Sequence, residues 1–227
     1  MGYVFDPQPQ VSLPIVGTDD RFPVHRVYCV GRNYAEHARE MGHDPDREPP
    51  FFFQKNPYNL ETSGEFPYPM ASEDVDLEIE MVAALKAGGT HIKAENALEC
   101  VFGYGVALDM TRRDLQGVAK KAGRPWEVGK AFELSAPCTP LVAAAGIGHP
   151  AEGAIWLDVN GERRQEGNLN QLIWSVPEQI EYLSSLFELR PGDLILTGTP
   201  AGVAACKRGD KMVGHVDGLP ELHVTVV

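Results

Sequence analysis

The sequence predicts an α+β domain dominated by strands, and three observations carry that expectation. Apolar runs of strand length recur at 79–85, 103–108, 193–197 and 222–227, and runs of four to eight residues bounded by turn formers suit strands better than helices. The segment 154–159 ends in Asn160-Gly161, a pair that tolerates the positive φ angles of a type I′ turn and so predicts a hairpin. Helical patterns, by contrast, are few and short.

Taken in order, residues 1–24 are rich in proline and turn formers and read as an N-terminal extension packed on a main domain of residues 25–227. His25 to Gly31 alternates like a strand, and a helix is expected over 34–41 with Asn33 as its cap and Gly42 as its stop. The polar, proline-broken stretch 42–50 predicts a surface loop able to act as a lid hinge. Phe51 to Lys55 reads as a buried strand, 56–75 as a second polar loop, and Asp76 to Leu85 as a strand. A short helix over 94–100 precedes a strand that delivers Asp109 at its end. Thr111 is placed to cap a helix running to about Ala122, with Asp114 completing a capping-box pattern. Past the hairpin, Ser175-Val176-Pro177-Glu178 starts a helix whose Ile180, Leu183 and Phe187 share a face. Asp193 to Thr197 is a buried strand running into Gly198-Thr199-Pro200, and 222–227 is the last strand. There is no internal repeat or low-complexity tract.

With 227 residues and 43% hydrophobic composition, the chain can bury a proper core. Its formal charge of -12, from 32 acidic against 20 basic residues, argues against nucleic acid and anionic membranes, which need clustered Lys and Arg. A small molecule is the expected partner. Cys29, Cys100, Cys138 and Cys206 show neither a C-x-x-C pair nor zinc spacing, so reduced thiols and a cytoplasmic setting are expected. Neither a secretion signal nor a membrane span is evident.

The chemistry is expected where Glu78 and Glu80 open the apolar run. In an extended chain residues two apart share a face, so two carboxylates stand side by side. Their repulsion is relieved by a proton, a Lys or Arg, or a divalent cation. The alternative is an edge strand with both glutamates on its wet side. Asp109 is the natural third ligand, and three carboxylates suit Mg²⁺ or Mn²⁺ with positions left for water and substrate. Taken alone, Asp109 reads equally as a charge at a helix start.

Arg113 and Gln116 lie three apart on one helix face and can clamp a substrate carboxylate or carbonyl. Lys130, between a glycine and an apolar run, can steady negative charge on a substrate oxygen. His37 and Glu40, also three apart, form a plausible general-base pair. Each of these has an ordinary alternative as a surface charge. Glycine patterns for a dinucleotide or a P-loop are broken at Leu108 and Asp210, and no G-x-S-x-G elbow occurs.

Gly31-Arg32-Asn33-Tyr34, His37-x-x-Glu40, Glu78-x-Glu80, Leu108-Asp109-Met110-Thr111-x-Arg113-Asp114-x-Gln116, Gly129-Lys130-Ala131-Phe132 and Thr197-Gly198-Thr199-Pro200 stand in one order along residues 25 to 227. In this the sequence resembles the fumarylacetoacetate hydrolase family, and its wording at 26–37, 49–55 and 123–130 is most similar to the fumarylpyruvate hydrolase branch. The resemblance implies a mixed β-sandwich roll with short peripheral helices, usually as a homodimer. It implies Mg²⁺ or Mn²⁺ on Glu78, Glu80 and Asp109, water activated by His37 and Glu40, and a departing enolate steadied by Lys130 and Gln116. Arg32, Lys55, Arg113 and Thr199 would hold substrate. The implied reaction is hydrolysis of a carbon–carbon bond in a 2,4-dioxo acid, fumarylpyruvate giving fumarate and pyruvate in gentisate-type aromatic catabolism. Oxaloacetate decarboxylation or dienoic-acid isomerisation could use the same site. Outside that class stand a non-catalytic metal or dicarboxylate binder and a nucleotide-dependent oxidoreductase. Asp76 departs from the family wording, where many members carry His or another residue.

Overall fold

The computed structural model describes residues 2–42 and 48–227. It is an α+β fold of mixed sheets with short peripheral helices, the longest running Val176–Leu186. A six-stranded sheet has the order Val142–Ala143, Val101–Leu108, Ile79–Leu85, Asp193–Leu196, Arg26–Gly31, Phe51–Lys55. Its neighbours are antiparallel except Asp193–Leu196 and Arg26–Gly31, which run parallel. A five-stranded sheet has the order Glu162–Asn168, Ala154–Val159, Lys211–Val216, Leu222–Val226, Glu65–Phe66, with the last pair parallel.

Strand parity decides what lies on each side. Ile79–Leu85 is buried at every position, as befits an inner strand covered on both faces. Ile79, Met81 and Ala83 join Ile155, Leu157 and Met212 in the core that binds the two sheets. Val82 and Ala84 face the opposite way, toward Leu13, Phe22 and Val24 of the N-terminal segment. Glu80 has the parity of Val82, so it belongs to this second side. The edge-strand alternative for the glutamates is therefore excluded.

The hairpin forms as expected, with Asn160 at φ 53° and Gly161 at φ 83°. Glu178 accepts from the Ser175 backbone N–H at 2.9 Å and hydroxyl at 2.7 Å, closing the capping box of Val176–Leu186. Other expectations need correction. Ile180 and Leu183 are buried, but Phe187 lies past the helix and is 40% exposed. Phe51–Lys55 is an edge strand whose three phenylalanines are only half-buried. Thr111 lies in a short strand rather than at a cap, and the helix begins at Arg113. Asn33 caps nothing, because its amide is taken up by distant backbone groups. The proposed hinge, residues 42–50, falls largely on 43–47, outside the described residues. No helix among the described residues is long and apolar enough to cross a membrane.

Candidate active site

Two neighbouring strands bring three carboxylates to one point. Ile79 pairs with Leu108 in the antiparallel ladder. The Asp109 N–H donates to the Glu78 carbonyl at 2.8 Å, which extends the ladder one step and sets Asp109 beside the glutamate pair. One carboxylate oxygen from each of Glu78, Glu80 and Asp109 lies within 4.8 Å of the others, and all three residues are buried. Like charges so close in a dry place demand compensation.

Three cations supply part of it. The Lys130 ammonium donates to Glu78 Oε2 at 2.8 Å, Asp109 Oδ2 at 2.7 Å and Thr111 Oγ1 at 2.6 Å. Arg113 reaches Glu78 Oε1 at 2.6 Å, donates to Gln116 Oε1 at 2.8 Å, and pairs with Asp76. Lys55 Nζ lies 2.9 Å from Asp109 Oδ1. Its hydrogens, however, are directed at the carbonyls of Met110 and Lys130 and the Ser135 hydroxyl. Asp109 Oδ1 thus feels a positive charge but accepts no hydrogen bond. Among the described residues Glu80 receives only the Gly198 N–H, at 2.7 Å.

The two glutamates respond in opposite directions. Burial raises the Glu78 pKa, but Lys130 and Arg113 outweigh it and hold the carboxyl at about 2. Burial, then Asp109 and Glu78, push Glu80 well above the carboxylate range. Positive charge is short on the Glu80 side, and Asp109 Oδ1, though beside the Lys55 ammonium, accepts no hydrogen bond among the described residues. An all-oxygen set of this kind fits a hard divalent cation. Glu78, Glu80 and Asp109 are the residues that would hold it.

Gly198 is fixed in this role by its backbone. At φ 104° it adopts a conformation that side-chain-bearing residues rarely take, and an added Cβ would sit 2.6 Å from Asn33 Cβ. Asn33 secures the turn by donating to the Thr197 carbonyl at 2.8 Å and the Trp174 carbonyl at 2.9 Å. A second close approach, at Gly129, would place a Cβ 2.8 Å from Gln116 Cβ. The turn bearing Lys130 consequently lies directly against the helix bearing Arg113 and Gln116.

Above the triad opens a cleft of about 570 Å³, part of it continuous with solvent, an ordinary size for a small-molecule site. Of the sequence-derived candidates, Arg32, His37, Glu78, Glu80, Arg113, Gln116, Lys130 and Thr199 line it. Asp109 lies just beneath. Glu40 stands behind His37, with its Oε2 3.4 Å from His37 Nδ1, and also accepts from the Gly202 N–H at 3.2 Å. Lys55 corrects an expectation, since its side chain is fully buried behind Asp109 and does not line the cleft. Trp126 lines the cleft, whereas Tyr58 and Trp174 do not. Phe51, Phe53 and Lys120 also line it and had not been singled out. Phe51 and Phe53 share a strand face by parity, and Lys120 follows Gln116 by four residues on one helix face. Those spacings were the available signals.

Comparison with known proteins places the chain in a family. The family model described as fumarylacetoacetate (FAA) hydrolase C-terminal matches residues 26–227. A fumarylpyruvate hydrolase from Ralstonia sp is 43% identical over 189 residues, covering 82% of this chain and 98% of the relative. An oxaloacetate tautomerase from Escherichia coli K12 is 39% identical over 198 residues, covering 87% of this chain and 90% of the relative. The crystal structure of fumarylpyruvate hydrolase from Pseudomonas aeruginosa, in complex with Mn²⁺ and pyruvate, superposes with a TM-score of 0.98 at 55% identity, covering 100% of this chain and 99% of that one.

Proposed function

The chain belongs to the fumarylacetoacetate hydrolase family, and from that premise we propose that it hydrolyses the carbon–carbon bond of a 2,4-dioxo acid, fumarylpyruvate giving fumarate and pyruvate. The observation that carries this reading is the meeting, around one cleft, of the carboxylate triad and the His37–Glu40 pair. A divalent ion, Mn²⁺ or Mg²⁺, on Glu78, Glu80 and Asp109 supplies the Lewis acidity that makes pyruvate enolate a tolerable leaving group. His37, with Nδ1 turned to Glu40, offers Nε2 to take a proton from water. Hydroxide then adds to the C4 carbonyl carbon, the C3–C4 bond breaks with its electron pair going to C3, and the enolate gains a proton there. Arg113 and Gln116 hold the dioxo acid's oxygens, and Lys130 steadies charge on the departing fragment. Thr199, which lines the same cleft, completes the grip. The working form is a homodimer in the cytoplasm, serving gentisate-type aromatic catabolism.

A second reading draws support from the tautomerase relative and from the long 3.4 Å His37–Glu40 contact. Decarboxylation or tautomerisation of oxaloacetate shares the enolate but needs no attacking water. The test follows loss of ultraviolet absorbance from fumarylpyruvate, acetopyruvate and oxaloacetate, with and without chelator. Fumarylpyruvate should turn over fastest, and chelation should abolish it. Equal or better use of oxaloacetate would favour the second reading.

A further inference from the structure

Four cations line the cleft, and only two of them are neutralised. Lys130 and Arg113 each pair with carboxylates of the floor. Arg32 and Lys120 have no ion-pair partner among the described residues, and each instead stands over an aromatic ring. The Arg32 guanidinium lies 4.8 Å from the Phe51 ring centre, and the Lys120 ammonium 5.5 Å from that of Trp126. Burial, followed by Arg113 and Arg32, lowers the Lys120 pKa against an opposing pull from Glu78.

The rings themselves form one continuous wall. Phe53 and Trp126 lie 5.9 Å apart, Trp126 and Phe51 5.2 Å apart, and Lys130 stands over Phe53 at 5.0 Å. The wall therefore runs from the buried ammonium at the triad to half-buried Arg32 and exposed Lys120 at the rim. Arg32 also holds a backbone φ of 57°, a left-handed conformation that gathers at functional sites. Flat apolar surface followed by two unpaired cations is complementary to a planar conjugated chain that ends in an anion.

We infer that Arg32 and Lys120 form a second anion subsite, which reads a carboxylate at the far end of the acyl group while the aromatic wall reads its planar unsaturated stem. The inference rests on the acylpyruvate hydrolase reading and narrows its substrate class to acyl groups that terminate in a carboxylate. A neutral acyl group leaves both cations without a partner. Lys120 thus selects among substrates without taking part in bond breaking.

The test measures kcat/KM for fumarylpyruvate and acetopyruvate in wild type and in Lys120→Met, Lys120→Arg and Lys120→Glu. The fumarylpyruvate-to-acetopyruvate ratio should fall about two- to fivefold in Lys120→Met, as the loss of one partly solvated charge pair warrants. It should fall further in Lys120→Glu and return toward the wild-type value in Lys120→Arg. Calorimetric titration of fumarate against crotonate into the same proteins supplies a readout free of turnover, and the wild-type preference for fumarate should shrink in Lys120→Met. An unchanged substrate ratio or an unchanged fumarate preference would overturn the subsite. Failure of the wild type to hydrolyse either acylpyruvate would sink the hydrolase reading, and the fumarate titration would still judge the subsite.

Discussion

Replacing Glu80 with glutamine should stabilise the metal-free protein and abolish the stabilisation that a divalent cation confers. Glu80 is 1% exposed, and the Gly198 N–H is its one hydrogen-bond donor among the described residues. Its pKa is raised by burial, Asp109 and Glu78. A carboxyl shifted upward contributes stability that is complete below its unfolded value and lost as pH rises through its folded value. At pH 8 the metal-free wild type therefore carries a cost of about 1.4 kcal/mol for each pH unit over which this group is displaced. Glutamine keeps an acceptor for Gly198 and removes the charge. The expected gain is roughly 1–3 kcal/mol, and each kcal/mol moves Tm by about 2–4 °C in a domain of this size. Wild type at a hundredfold excess of Mn²⁺ over its Kd should gain about 2.7 kcal/mol, and Glu80→Gln should gain little. Thermal unfolding at pH 8, in EDTA and in MnCl₂, measures both. A variant that melts below wild type in EDTA, or keeps the full Mn²⁺ shift, would refute this account of the triad.

Three further outcomes are expected. His37→Asn should lower fumarylpyruvate hydrolysis by about 10²–10⁴ and affect oxaloacetate turnover much less, since no water attacks there; parallel losses would remove His37 from water activation. In Gly129→Ala the new methyl meets Gln116 at 2.8 Å, so overpacking should cost about 1–3 kcal/mol and lower the urea midpoint, whereas an unshifted midpoint would show that the Lys130 turn yields freely. Ser175→Ala removes one half of the capping box and should destabilise by about 1 kcal/mol in the same assay, with no change indicating that Glu178 alone secures the helix start.

Much of this site was legible in the sequence because its carriers obey local rules. Glu78 and Glu80 are two apart in a strand-length apolar run, and Asp109 ends another, so parity and pairing bring them together. The hairpin and the Ser175 cap were legible for the same reason, since turn and cap chemistry act within four residues. Errors arose where a side chain chose a distant partner over a near one. Asn33 looks like a cap, yet the turn at Thr197 claims its amide. Lys55 looks like a cation free to meet substrate, yet three acceptors from 110, 130 and 135 bury it. Nothing within several residues of either position announces those contacts. Lys120 carries no sequence signal beyond its helical spacing, because a lysine on an exposed helix is ordinary until a tryptophan stands beneath it.

The edge position of Phe51–Lys55 has a consequence for how this architecture can diversify. Glu80 and the strand that carries Asp109 to its end are interior to the six-stranded sheet, each hydrogen-bonded on both flanks, whereas Phe51 and Phe53 hang from its border beside helices of only a few turns. Border residues can be exchanged without disturbing a hydrogen-bond ladder on a second side. One unaltered acidic hearth can thus be given many different doorways, which suits a lineage whose relatives include both a fumarylpyruvate hydrolase and an oxaloacetate tautomerase.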